Sequence, residues 1–137
     1  MKLNGLFIIT AILGLFFGIL MLIIPGQFFE FYGGELTNAG KYNGQLVAAA
    51  YLGFAALLLI ATKAKEAKAQ QAIIIGSLVH FIVGLIVSLR WQILGEVNVW
   101  GWTTVGIFGL LTLAYAYFAV TKKAQAGNDY RQAGEAV

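Results

Sequence analysis

No cysteine occurs among the 137 residues, so disulfides, thiolate catalysis and cysteine-ligated zinc or iron–sulfur centres are excluded. Histidine occurs once, which rules out a haem held between two histidines of one chain. Proline also occurs once, at position 25, so long helices can run uninterrupted on either side of it. Charge is scarce as well. Only 11% of the residues are charged, against roughly 25% in ordinary soluble domains, and such a chain cannot cover a water-facing surface. No zinc-site spacing, phosphate-binding glycine loop, GxSxG elbow or pair of intramembrane carboxylates is present, which argues against catalysis by this chain alone. No metal site is expected.

What the chain does have is apolar length. Hydrophobic residues make up 60% of it, and the mean hydropathy is +0.81. A hydrocarbon core about 30 Å thick needs about 20 apolar residues per helical span, so the apolar content suffices for four spans and leaves no room for a separate soluble domain. The expected fold is an all-α bundle of four transmembrane helices over residues 1–121. The spans are expected at about 3–24, 44–62, 71–89 and 102–121, with a polar cytoplasmic tail over 122–137. The first apolar run, Leu6 to Ile24, is longer than a signal-peptide core and lacks a small-residue cleavage pattern, so it is expected to be a retained helix. Pro25-Gly26 ends it.

The net charge of +3 does not point to nucleic acid, because the cations flank the spans. Lys2, Lys63, Lys65, Lys68, Lys122, Lys123 and Arg131 fall on one side, and only Lys41 and Arg90 on the other. The positive-inside rule then places both termini in the cytoplasm. Phe28, Phe29, Phe31, Tyr32, Tyr42 and all three tryptophans collect at the opposite boundary. Around Glu30 the aromatics follow i, i+1, i+3, i+4 spacing, which predicts a turn or two of interfacial helix. The two halves also echo each other: a span, an aromatic loop, an asparagine (Asn43, Asn98), then a span ending in Thr-Lys.

Three groups of residues are candidates for function. Small residues let helices approach closely where lipid provides no hydrophobic drive. Gly14 and Gly18 form a GxxxG pattern, with Ala49 and Gly53 on the second span and Gly106 and Gly109 on the fourth. They serve either packing within the bundle or docking on another subunit. The second group centres on His80, near the middle of the third span. Gly76, Gly84 and Ser88 share its helix face at four-residue spacing, so no bulk stands one turn above or below the imidazole. Intramembrane ionisable groups are costly and face a bundle interior or a cavity. His80 is read as a neutral hydrogen-bonding group, as the ligand of a quinone, lipid or pigment (a haem with one axial histidine included), or as a proton relay. The absence of an acidic partner at that depth weakens the relay. The third group is an outer polar and aromatic rim of Glu30, Arg90, Trp91, Glu96, Trp100 and Trp102, where Arg90 either snorkels or binds an anionic headgroup.

Gly14 to Gly18, the Pro25-Gly26 stop with its aromatic continuation, the Gln45 to Leu57 run and a third span with a polar centre together resemble the DoxX-like small four-span membrane proteins. The resemblance implies a four-helix membrane fold and, for some members, a link to quinone-dependent sulfur oxidation. It carries over no catalytic residue. The leading expectation is an accessory or scaffolding subunit that meets the lipid bilayer and other membrane subunits or further copies of itself. The alternatives are a quinone-, lipid- or pigment-binding protein using a cavity beside His80, and a small transporter.

Overall fold

The computed structural model describes residues 2–135, with side chains described as far as Lys122. It is all-helical, in the order α1 (Leu3–Ile23), α2 (Pro25–Phe31), α3 (Asn38–Ala61), α4 (Ala67–Ile93) and α5 (Gly101–Glu135). Four of the five are long and apolar enough to cross a membrane. The side chains of Lys123 and Arg131, used above to assign sidedness, lie outside the described residues.

The helix limits depart from the apolar runs because polar residues cap and extend the ends. Thr37 precedes α3, and its hydroxyl accepts a hydrogen bond from the Gly40 amide at 3.1 Å. That N-cap draws the polar stretch from Asn38 to Asn43 into the helix. Helix α4 likewise takes in Lys68 and Gln70 at its start and Arg90 and Gln92 at its end. Its 27 residues span about 40 Å. The backbone of α5 runs on without a break from the apolar span into the polar stretch after Thr121. Pro25 occupies the first turn of α2, where its missing amide costs nothing. Gly33, with φ at +88°, then provides the left-handed turn that leads the chain away.

The long helices associate as two antiparallel pairs, α1 with α3 and α4 with α5, which meet more sparsely across the bundle. The first pair is close because its seam is made of small residues. A Cβ added at Gly14 would lie 3.3 Å from the Ala55 Cβ and 3.4 Å from the Tyr51 carbonyl. One added at Gly18 would lie 3.0 Å from Leu52 and 3.3 Å from the Ala48 carbonyl. On α3 the seam is made by Ala48, Leu52 and Ala55, and Gly44, Leu58 and Ala61 are buried as well. Side-chain amides tie both ends of the pair. Asn4 Nδ2 donates to the Thr62 carbonyl at 3.1 Å, and Gln45 Nε2 donates to the Leu22 carbonyl at 3.0 Å. These bonds satisfy helix-terminal carbonyls that have no partner in their own helix.

The packed core occupies the half of the bundle that holds the N-terminus. Leu6, Phe7, Leu58, Ile74 and Tyr115 are buried there. Tyr115 stacks on Phe7 and Phe81, and its hydroxyl donates to Thr10 Oγ1 at 3.2 Å, joining α5 to α1. The outward faces carry Ile12, Phe16, Ile60, Val83, Leu110 and Leu113, all exposed, as helices facing lipid require. The other half of the bundle is less filled.

Candidate functional site

The gap between the two helix pairs is a cavity of about 380 Å³ in the half that carries α2. Its wall is almost entirely apolar and aromatic. Helix α1 contributes Leu13, Gly14, Phe17 and Met21; α3 contributes Val47, Tyr51 and Phe54; α4 contributes His80, Phe81, Val87 and Ser88; α5 contributes Thr104, Ile107, Phe108 and Leu111. Among the described residues, no Lys, Arg, Asp or Glu lines it.

His80 is the midpoint of α4. Its ring sits among four aromatic neighbours: Phe81 at 5.0 Å, Phe54 at 5.1 Å, Tyr51 at 6.1 Å and Phe108 at 6.3 Å between centroids. The imidazole is exposed to the cavity. Neither His80 nor the Tyr51 hydroxyl makes a hydrogen bond among the described residues; their contacts are with rings. Two polar groups at mid-helix depth are thus left for a guest. The expected hydrogen bond from His80 to a hydroxyl or carbonyl of another helix is not formed.

The other residues on the His80 face have separate fates. Ser88 lines the cavity, but its hydroxyl is committed to the Gly84 and Leu85 carbonyls of its own helix at 2.8 and 3.1 Å. Gly84 makes room for Phe108, whose ring would lie 2.9–3.2 Å from an added Cβ. The notch that the sequence shows beside His80 is therefore filled from α5. Gly76 is exposed, and an added Cβ would meet nothing within 4 Å; it takes no part in the cavity.

At the α2 end the cavity has a roof. Phe28 and Tyr32 fold inward and pack edge to face or tilted on Phe17 and on each other, at 6.1 and 5.4 Å. Phe29 packs against Gly44. The interfacial helix expected here thus turns much of its aromatic surface onto the bundle. Asn98 fastens the loop between α4 and α5 over it. Asn98 Nδ2 donates to the Phe31 carbonyl at 2.8 Å, its amide donates to the Tyr32 carbonyl at 3.1 Å, and its Oδ1 accepts from the Trp100 amide at 3.0 Å. Gln92 Nε2 reaches the Asn98 carbonyl at 3.2 Å.

The rim residues do not converge on one site. Trp91 borders the cavity, and the Arg90 guanidinium lies 5.9 Å from its ring centroid. Trp100 packs on Phe31 at 5.2 Å. Glu30, Glu96 and Trp102 are exposed at separate places. Among the small residues, Gly14 and Gly18 form the α1–α3 seam, whereas Ala49 and Gly53 lie on the exposed side of α3. The seam uses the stripe one position earlier, through Ala48 and Ala55, because those residues are in register with Gly18 and Gly14. Gly106 faces open space, and an added Cβ at Gly109 would touch only Leu85, at 4.0 Å.

Reasoning from the sequence found His80 but missed its company. Tyr51, Phe54, Phe81 and Phe108 were not singled out there. The spacing Val47-Tyr51-Phe54 was the available clue, since it puts three large side chains on one face of α3. No group of three His, Cys, Asp or Glu residues that could hold a metal ion is found among the described residues. No family model, curated protein or solved structure matches the chain.

Proposed function

We propose that this protein binds a neutral, lipid-soluble small molecule between its two helix pairs, with His80 and Tyr51 meeting the polar part of the guest. The observation that carries this reading is an apolar cavity of about 380 Å³ with two uncommitted polar side chains at its depth. Small-ligand sites run from about 300 to 1,000 Å³ and combine apolar walls with few polar groups. A quinone has this chemistry, and some members of the DoxX-like group that the chain resembles are linked to quinone-dependent sulfur oxidation. The aromatic box around His80 suits a single flat ring better than a porphyrin-sized pigment. Ion transport is disfavoured, because no charged side chain lines the cavity. The distribution of Lys and Arg supports a topology with both termini cytoplasmic and α2 on the far side, and the DoxX-like resemblance supports the cytoplasmic membrane of a prokaryote.

The test is native mass spectrometry with an absorption spectrum on protein extracted mildly from its own membrane. A neutral small molecule should accompany the wild type. It should be depleted by His80→Ala and absent from the cavity-filling variant Ser88→Phe. An empty wild type, or equal occupancy in all three proteins, refutes the reading.

A second reading, an accessory subunit of a larger membrane complex, is supported by the outward small residues. Gly53 and Gly106 have no atom within 4 Å of an added Cβ, so a partner helix has room to approach. The Gly14 and Gly18 surface is already used inside the bundle. Gly53→Leu should then release the partner while leaving the fold intact. Co-purification unchanged by both Gly53→Leu and Gly106→Leu counts against this reading.

A further inference from the structure

We infer that the cavity is loaded sideways from the bilayer, through a slot between α3 and α4, and that its guest is a neutral single-chain amphiphile whose head lies inside while its chain stays in the lipid. This rests on the ligand-binding reading above and adds the route and the chemical class.

Four residues that line the cavity are also exposed: Val47, His80, Val87 and Trp91. All four belong to α3 or α4. They fall on two facing ladders, Val47-Tyr51-Phe54 on α3 and His80-Val87-Trp91 on α4, each at helical spacing. On the opposite side, between α1 and α5, none of the cavity-lining residues is exposed: Met21 and Leu111 are buried and Leu13, Phe17, Thr104 and Ile107 half-buried, and the Thr10–Tyr115 hydrogen bond ties the two helices together below them. The roof of Phe28, Tyr32 and the Asn98-fastened loop covers the end of the cavity towards water. Sideways through α3 and α4 is therefore the route with least material in it.

The class of guest follows from volume and polarity. A cavity of about 380 Å³ stands at the small end of the range for enclosed ligands, so it takes a headgroup or a ring but not a two-chain lipid. The rest of the molecule must leave through the opening, and apolar Val47 and Val87 border that opening. A charged head is excluded, because no cavity residue carries the charge to neutralise it.

The primary experiment uses the unaltered protein in phosphatidylcholine vesicles. A monoacylglycerol with a diazirine on its acyl chain next to the head is photolysed there and its adducts are mapped by mass spectrometry. The expected pattern is strong enrichment on Val47, Val87 and Trp91 over the lipid-facing Ile12 and Leu113, with further adducts on Ser88 and Phe81 inside. Adducts inside the cavity accompanied by Leu13 and Ile107, rather than the α3–α4 residues, overturn the slot and leave the binding reading standing. An unlabelled cavity also overturns the slot; native mass spectrometry then decides the binding reading, which survives if a neutral molecule co-purifies and falls if none does.

A second arm exploits the absence of cysteine. The double variant Val47→Cys, Val87→Cys is bridged by a short, cleavable bis-thiol reagent before the probe is added. Labelling of Ser88 and Phe81 should slow by about tenfold or more, since closing a route acts on the association rate, and should recover when the bridge is reduced. Labelling at the original rate across a verified bridge overturns the proposal.

Discussion

Leucine introduced at Gly14 or Gly18 should unfold the bundle far more readily than leucine at Gly53 or Gly106, although all four are glycines in the middle of apolar helices. At Gly14 the first added carbon already meets the Ala55 Cβ at 3.3 Å and the Tyr51 carbonyl at 3.4 Å. Neither neighbour can rotate away, so α1 and α3 must separate to admit the rest of the side chain. Overpacking of this kind costs about 1–3 kcal/mol. Replacing glycine in a helix recovers just under about 1 kcal/mol of propensity, which reduces the net loss without abolishing it. At Gly53 and Gly106 the added carbon meets nothing within 4 Å, so only the propensity gain remains. The two classes should therefore differ by about 1–3 kcal/mol, or roughly 5- to 150-fold in the unfolding equilibrium. Reversible unfolding in bicelles, followed by tryptophan fluorescence and repeated for all four variants, measures the difference directly. Equal stabilities for Gly14→Leu and Gly53→Leu would refute the assignment of the α1–α3 seam.

Further expectations concern the core, the roof and the cavity wall. Thr10→Val and Tyr115→Phe should each destabilise by about 1 kcal/mol, and the double variant should lose less than the sum, because both remove the same hydrogen bond; strict additivity in the same unfolding assay shows that the bond contributes nothing. Asn98→Ala removes two side-chain hydrogen bonds from the roof and should cost about 1–3 kcal/mol, with faster amide hydrogen exchange at Gly33 and Trp100; unchanged exchange there means that the loop is held by other contacts. Gly84→Ala should drive the Phe108 ring from its place, since the new Cβ would approach it to 2.9 Å, and so lower both stability and ligand occupancy. Adding Phe108→Leu should restore stability, and failure to do so places the clash elsewhere.

Much of the architecture can be read without coordinates, because a bilayer imposes its constraints locally. An apolar helix of about 20 residues must satisfy its own backbone, so Leu3–Ile23 and its three counterparts are legible as helices one at a time. The polar helix ends are less legible: Asn38 to Asn43 read as loop until the Thr37 cap is seen. His80 stands out because an ionisable group is rare at that depth. Its significance, however, depends on residues 26–29 positions away in both directions, Tyr51 and Phe54 on one side and Phe108 on the other. No local pattern encodes such a meeting.

By itself, then, the sequence determined that the chain is a set of membrane-length helices with its one histidine at mid-depth, since length and hydropathy decide this residue by residue. The tertiary structure alone decided which small residues are used. Gly14 and Gly18 are consumed by Ala55 and Ala48, while Ala49, one position after Ala48, and Gly53, two before Ala55, face outward. That choice depends on the rotation of one helix against another, and a single position along a helix turns a side chain by about 100°. The cavity has the same origin: tight packing within each pair and sparse contact between pairs leave an opening that no single helix contains.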